Sequence, residues 1–140
     1  MQEIVLFIQH NLALSLALIV VLILLIILEL IRAKRGAIRI SPMAATQMIN
    51  HQDGVVVDIR SNDAFASGHI VDALSIPLSE LDTQYKKLEK FISRPIVIAC
   101  ATGLESPRAA DVLIKHGFSV HILAGGIRGW KEVDMPLVKR

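Results

Sequence analysis

The sequence predicts a small α/β domain with a mostly parallel sheet, preceded by one membrane-spanning helix. Three observations indicate this fold: a long apolar run near the N-terminus, short β-rich runs that alternate with helical stretches after it, and the β-branched residues 55–57, which suit a strand buried on both faces. The 140 residues leave room for one domain of ordinary size. We therefore divide the chain into a transmembrane anchor at 1–31, a basic linker at 32–37 and an α/β domain at 38–140.

The central part of the anchor consists almost entirely of apolar residues. Every residue from 12 to 28 is apolar except Ser15, and the flanking apolar residues extend the lipid-facing segment to 4–31. At about 1.5 Å per residue the run 12–28 alone covers roughly 25 Å, and its flanks bring it to the ~30 Å of a bilayer core. A buried soluble helix and a cleavable signal peptide are the alternatives, but so small a domain cannot surround this helix, and no Lys or Arg precedes the run.

Basic residues beside the span predict its orientation. Arg32, Lys34 and Arg35 follow it directly and Arg39 lies just beyond, whereas Glu3 carries the charge on the other side. The positive-inside tendency places the N-terminus outside and the α/β domain in the cytoplasm, at the inner (plasma) membrane. Anionic lipid headgroups account for the basic cluster, and the net charge of +2 gives no support for binding to nucleic acid.

The domain begins with a strand, a helix and a second strand. Residues 38–40 form a short predicted strand, and the Ser-Pro pair at 41–42 supplies the N-cap and first residue of a helix to about Asn50. The Asp-Gly pair at 53–54 then turns the chain into the buried strand 55–57.

The next three elements are less regular. A short helix at 63–67 ends at a glycine, and a weaker strand at 74–76 is closed by a proline. Ser79 caps a predicted helix over 80–91. One face of that helix carries the apolar side chains Leu81, Tyr85, Leu88 and Phe91.

The last elements repeat the alternation: a strand at 95–99, a helix at 106–116 stopped by Gly117, and a strand at 120–123. This order predicts a mostly parallel sheet with helices on both faces and right-handed crossovers. In such sheets the ligand site lies at the carboxyl ends of the strands. Trp130 is expected to anchor the final helix in the core.

Cys100 is the candidate nucleophile, because it falls at the end of the strand 95–99. The loop 101–105 can point several backbone N–H groups inward, and the helix beginning at Ser106 adds the positive end of its dipole. Both features lower the pKa of a thiol. The alternative is that this lone cysteine is only a small buried hydrophobic residue. A single cysteine forms no intramolecular disulfide and has no cysteine partners for structural zinc.

Three motifs, in order and correctly spaced, resemble those of the rhodanese family, over roughly residues 37–138. The second is the loop 100–106 (CATGLES), and the third is 125–130 (GGIRGW). The first motif consists of residues 56–60 (VVDIR), Phe65, Gly68-His69-Ile70, Ala73 and Ile76-Pro77. The resemblance implies a rhodanese-like fold and a sulfurtransferase that needs no metal or organic cofactor.

The resemblance also implies roles for particular residues. The Cys100 thiolate would take a sulfane sulfur from a donor such as thiosulfate or a persulfide, hold it as a cysteine persulfide, and pass it to a thiol or cyanide acceptor. The loop amides would cradle this persulfide and the anionic donor. The substrate-binding loop consists of Ala101, Thr102, Gly103, Leu104, Glu105 and Ser106.

The loop departs from the family pattern in its charge. Members active on thiosulfate commonly carry basic residues in the loop, whereas this chain has Ala101 and Glu105. A carboxylate beside the thiol should raise the thiol pKa and repel thiosulfate. Arg60 and Arg108 are supporting residues that could restore positive potential. Asp58 and Arg60 are also expected to hold neighbouring loops together by ion pairing.

Two other functions compete with sulfur transfer. The first is a weakly catalytic or non-catalytic rhodanese-like module that binds a protein of a membrane complex. The second is a phosphatase, in which a cysteine is followed by five residues and a phosphate-gripping arginine. Position 106 is a serine and Arg108 comes two residues late, which argues against the phosphatase. The tether itself predicts a membrane-bound donor, acceptor or partner protein.

Overall fold

The structure is a computed structural model that describes residues 1–34 and 36–139, in two compact units that divide between residues 35 and 36. Arg35 of the predicted linker and Arg140 at the end of the predicted domain lie outside the described residues. The N-terminal unit consists of helices α1 (Gln2–His10) and α2 (Leu12–Lys34).

Helix α2 contains the apolar segment Leu12–Ile31, whose mean hydropathy is 3.3 and whose apolar side chains are exposed among the described residues. By length and composition this helix can cross a membrane. It continues through Lys34, into the segment assigned to the linker from sequence, because no glycine or proline intervenes before Gly36.

The second unit contains a five-stranded parallel sheet, which confirms the predicted α/β fold class. The spatial strand order is β1-β5-β4-β2-β3. Strands β2 and β4 are buried along their whole length, as expected for central strands with helices on both faces. The strands are β1 (Ile38–Ile40), β2 (Val55–Asp58), β3 (Leu74–Ser75), β4 (Ile96–Ala99) and β5 (Val120–Leu123).

The helices of this unit begin and end close to the predicted positions. The Ser41 hydroxyl accepts a hydrogen bond from the N–H of Ala44 at 3.1 Å, so the Ser-Pro start of the first helix is confirmed. The helices are α3 (Pro42–His51), α4 (Asn62–Ser67), α5 (Leu81–Gln84), α6 (Ser106–Lys115) and α7 (Gly126–Glu132).

The prediction of one continuous helix over 80–91, capped by Ser79, is wrong. Ser79 lies inside a 3₁₀ turn (Leu78–Glu80), α5 follows, and a 3₁₀ helix (Tyr85–Phe91) completes the segment. Tyr85, Leu88 and Phe91 are three residues apart and all pack against the core. A helix with three residues per turn places such residues on one face, which explains the tighter winding.

The sheet separates two hydrophobic cores. Alternate residues of β4 point to opposite faces: Ile96 and Ile98 pack in one core with Leu88 and Leu113, and Val97 and Ala99 pack in the other. Trp130 is buried in the second core and donates a hydrogen bond to the Pro136 carbonyl at 3.0 Å, so its predicted role as a core anchor is confirmed.

Candidate active site

Cys100 follows the last residue of β4, at the carboxyl edge of the sheet. Its side chain lies on the face that contains Ile96 and Ile98, and only 1% of the residue is exposed. The backbone N–H of Gly103 donates a hydrogen bond to its sulfur at 2.9 Å. The sulfur therefore sits inside the loop that connects β4 to α6, in contact with that loop's own backbone.

Opposing effects set the pKa of Cys100. Burial raises it, but the nearby Ser106 hydroxyl and the backbone N–H groups of Glu105, Ser106 and Gly103 lower it, and the net pKa falls below its ordinary value. Of these groups, the Gly103 N–H is the one that forms a hydrogen bond with the sulfur in this structure. Ser106 is completely buried, and its hydroxyl, which makes no hydrogen bond with the described residues, helps to lower the pKa of the thiol from beside the sulfur. The loop geometry thus favours the thiolate, as the sequence predicts.

The loop residues divide into two groups. Gly103 and Ser106 are buried beside the sulfur, whereas the other four side chains face solvent. Leu104 is 80% exposed. The exposed side chains are those of Ala101, Thr102, Leu104 and Glu105. Glu105 affects the thiol pKa through its backbone N–H, which lowers it.

The start of helix α7 braces the loop from outside. The N–H of Ile127 donates to the Cys100 carbonyl at 2.8 Å, and the N–H of Arg128 donates to the Ala101 carbonyl at 3.0 Å. Gly126 has a φ of +58°, and a Cβ atom at this position would lie 2.3 Å from the Cys100 carbonyl oxygen. The close approach requires a glycine, which gives the GGIRGW motif a structural role at the site.

Asp58 and Arg60 form a buried ion pair at the end of β2. The guanidinium contacts both carboxylate oxygens, with its shortest contact at 2.7 Å, and also donates to the Gly68 carbonyl at 2.7 Å. Arg60 thereby ties β2 to the end of α4. Its charge is balanced by a completely buried carboxylate, so it adds little free positive potential at the loop, although it lines a 490 Å³ cleft with Ala101.

Arg108 lies in a second cleft, of 570 Å³, on the side of the loop where α6 begins. Glu105 and Asp82 line the same cleft, which Pro77 and Leu78 make partly apolar. The structure therefore brings Arg108 near the acidic loop residue. The carboxylates of this cleft outnumber its single arginine among the described residues.

Sequence reasoning missed one contact with the loop. Nη1 of Arg39 donates a hydrogen bond to the Gly103 carbonyl at 3.1 Å. In the sequence, Arg39 looks like part of the juxtamembrane basic cluster. Only the strand order, which places β1 at the edge beside β5, shows that this residue reaches the loop.

His69, another polar residue of the first motif, is held by contacts within the fold. His69 is 6% exposed, its Nδ1 lies 2.8 Å from the Phe65 carbonyl, and its ring stacks on that of Phe65. Within the described ranges 1–34 and 36–139, no group of three or more His, Cys, Asp or Glu side chains is arranged to hold a metal ion.

Comparison with known proteins identifies the family. Residues 41–133 match the model of the Rhodanese-like domain. The chain is 33% identical over 141 residues to Uncharacterized protein YibN of Escherichia coli K12, with 99% of each chain covered. It is 31% identical over 94 residues to Thiosulfate sulfurtransferase GlpE of Coxiella burnetii, covering 66% of this chain and 86% of that protein.

A solved structure agrees with this match. The crystal structure of a rhodanese-related protein from Thermoplasma volcanium superimposes with a TM-score of 0.67 and 28% identity, over 74% of this chain and 99% of that one. The parallel sheet, the cysteine after β4 and the glycine-braced loop are features that this chain itself displays. The chain belongs to the rhodanese-like family.

Proposed function

We propose that the protein is a sulfurtransferase that carries sulfane sulfur as a Cys100 persulfide. The observation that supports this most strongly is the position of the sulfur inside the loop, where the Gly103 N–H donates to Sγ at 2.9 Å. The backbone N–H groups of Glu105 and Ser106 and the Ser106 hydroxyl add to the effect that lowers the pKa of the thiol. Such groups stabilise any anion held at that point, including a persulfide. The 31% identity with a protein named thiosulfate sulfurtransferase supports the same chemistry.

The first half-reaction loads the cysteine. The Cys100 thiolate attacks the outer sulfur of a donor such as thiosulfate, and a new sulfur–sulfur bond forms at Sγ. The sulfur–sulfur bond of the donor breaks at the same time, and sulfite departs with the electron pair. A low thiol pKa supplies the thiolate without a separate general base.

The second half-reaction transfers the sulfur from Cys100 to an acceptor. Cyanide or an acceptor thiolate attacks the outer sulfur of the persulfide, and the bond to Sγ breaks. The electron pair returns to Sγ and regenerates the thiolate, while thiocyanate or an acceptor persulfide leaves. The protein supplies position and charge stabilisation in both steps, and no redox change of the protein remains at the end.

The intact mass of the full chain in detergent micelles tests this proposal. Wild type and Cys100→Ser are treated with thiosulfate or with a small organic persulfide, and then with cyanide. Wild type should gain the mass of one sulfur atom and lose it again with cyanide, while the serine variant should gain none. A wild-type protein that no sulfane donor can load would contradict sulfur transfer.

The anchor sets the location in this proposal. Helix α2 spans the inner (plasma) membrane once, with the N-terminus outside and the rhodanese-like domain in the cytoplasm. The apolar segment Leu12–Ile31 supports the span, and the basic residues that follow it support the orientation. Protease added to intact spheroplasts should spare a C-terminal tag and should remove it after lysis. Digestion of the tag before lysis would show the opposite orientation.

The tether also implies that a donor, acceptor or partner protein resides at the membrane. A variant that lacks residues 1–31 should then keep the sulfur chemistry in solution and lose function in cells. Full complementation of a deletion strain by this variant, at equal protein level, would argue against a membrane-bound partner.

A protein-binding module is the second candidate. The 80% exposed Leu104 and the exposed Glu105 favour it, because an apolar side chain at the tip of a loop suits a protein contact better than a small anion. A Cys100→Ser variant that keeps its partners and its cellular phenotype would support the module. Loss of the phenotype with retained partners would support sulfur transfer.

A further inference from the structure

Arg39 connects the first strand of the domain to the loop that carries Cys100. It lies on β1, an edge strand, where its pairing partner in β5 is Ile122. Its side chain extends beyond the strand, and Nη1 donates to the Gly103 carbonyl at 3.1 Å. The two residues are 64 positions apart in the chain, so the contact exists only because the parallel sheet brings β1 to this edge.

Gly103 has the least restricted backbone in the loop, because it has no side chain. Its φ is +87°, a region where glycine is almost free to change conformation. Its N–H points at Sγ of Cys100, at 2.9 Å, and its carbonyl points at Arg39. A Cβ atom on Gly103 would lie 3.4 Å from Nη1 of Arg39 and 3.3 Å from the backbone nitrogen of Gly125, so these two groups flank its Cα.

The remaining external contacts hold a different part of the loop. The backbone of α7 binds the carbonyls of Cys100 and Ala101, at the start of the loop. The Arg39 contact falls in the middle, on the residue that donates to the sulfur. Without it, the hydrogen bonds described here for the peptide groups on both sides of Gly103 would be confined to the loop itself.

Arg39 also differs from the neighbouring cations in its charge balance. Arg60 is paired with the buried Asp58, and Arg128 is paired with Glu132 at 3.2 Å. Arg108 shares its cleft with Glu105 and Asp82. Arg39 instead binds an uncharged carbonyl, so its positive charge stays available to an anion at the loop.

We propose that Arg39 is a positioning residue of the sulfur-transfer site: its guanidinium holds Gly103 so that the Gly103 N–H points at the sulfur, and it adds positive charge beside a loop whose own charged side chain is acidic. This role rests on the proposed sulfurtransferase function. It stabilises the thiolate, the anionic donor and the persulfide in the same way.

The test compares three variants of the full chain in detergent micelles. Arg39→Gln removes the charge and shortens the donor, and Arg39→Lys keeps the charge. Arg94→Gln is the matched control, because Arg94 also donates to a backbone carbonyl, that of Asp53, but at the ends of the strands where β2 and β4 begin. The measurements are the pH dependence of Cys100 alkylation and the kcat and KM for loading with thiosulfate.

Arg39→Gln should move the alkylation midpoint to higher pH and slow thiosulfate loading about three- to tenfold, the range expected for one lost hydrogen bond. The Arg39→Lys profile should lie nearer to wild type. Arg94→Gln should match wild type, and the two glutamine variants should unfold at similar temperatures. If Arg39→Gln and Arg39→Lys both coincide with Arg94→Gln, the proposal is overturned.

A failure of this inference can be distinguished from a failure of the proposed function. If wild type cannot be loaded by any donor, the sulfurtransferase function fails, and the alkylation profile still reports whether Arg39 acts on the thiolate. If wild type is loaded and the Arg39 variants are unaffected, the function stands and only the role of Arg39 is rejected.

Discussion

Gly126 packs against the carbonyl of Cys100 so closely that the site has no space for a single additional carbon atom. A Cβ atom at position 126 would lie 2.3 Å from that oxygen and 2.9 Å from the Gly103 nitrogen. Both contacts are with backbone atoms of the loop, which cannot move aside without disturbing the groups around the sulfur. The start of α7 and the loop that carries Cys100 are therefore coupled through a steric contact.

We predict that Gly126→Ala disrupts the loop. Gly117→Ala is the control, because Gly117 also has a positive φ, of +87°, but has no atom within 4 Å of the added carbon. The control should lose only about 1 kcal/mol of stability from the backbone conformation. Gly126→Ala should lose more and should also slow Cys100 alkylation at neutral pH. Equal behaviour of the two variants would show that space at position 126 is unimportant.

Ser106→Ala should raise the pKa of Cys100. Burial already raises that pKa, and removal of the hydroxyl leaves only the backbone N–H groups to oppose it. Alkylation at pH 7 should slow about three- to tenfold, the size of effect expected for one polar group worth about 0.5–1.5 kcal/mol. Ser67→Ala is a suitable control, because its hydroxyl binds the Ala64 carbonyl in α4. An unchanged pH profile of alkylation would show that Ser106 does not affect the pKa of Cys100.

The lowered pKa of Cys100 also predicts how stability depends on pH. The folded thiol releases its proton at a lower pH than the unfolded thiol, for which the ordinary value is about 8.5. Between these two pH values the unfolded state binds more protons, so stability should rise with pH relative to Cys100→Ser. The gain should be complete above the unfolded pKa and should vanish as the pH falls through the folded pKa. Urea unfolding at a series of pH values measures this difference.

Glu105 should affect the choice of donor more than the chemistry. Its side chain is exposed, so Glu105→Gln leaves the loop backbone in place and removes a charge that repels dianionic thiosulfate. We expect kcat/KM for thiosulfate to rise about two- to fivefold at low salt, and less at high salt. Glu89→Gln is the control for net charge. An equal rise with an organic persulfide donor, which carries one negative charge where thiosulfate carries two, would contradict this electrostatic explanation.

Arg60→Gln should reduce stability by about 3–5 kcal/mol, because it leaves the buried Asp58 carboxylate without its partner. The matched comparison is the exposed Arg128–Glu132 pair, whose disruption by Glu132→Gln should cost at most about 1 kcal/mol. Chemical denaturation of both variants measures these costs. Similar values for the two pairs would mean that the Asp58 site is accessible to water.

Local patterns predicted most of the fold. The Ser-Pro start of α3, the β-branched residues of β2 and the alternation of strands and helices all have short-range causes, so the sequence reveals them. The prediction of one α-helix over 80–91 failed because the three-residue spacing of Tyr85, Leu88 and Phe91 favours a 3₁₀ helix only when these side chains pack against a core. Cys100 and its loop could be found from sequence because they form a local motif. The role of Arg39 could not, since its contact depends on the order of the strands in space.

The arrangement of the loop separates two kinds of adaptation. The groups that stabilise sulfur are mainly backbone amides, which any residue except proline supplies, and Ser106 is the buried side chain among them. The side chains of Ala101, Thr102, Leu104 and Glu105 point to solvent and do not contribute to that cradle. They can therefore be exchanged to suit a new donor or acceptor while the reactivity of the thiolate is preserved. In the proposed sulfurtransferase, this loop offers four positions at which selectivity can be varied independently of the sulfur chemistry.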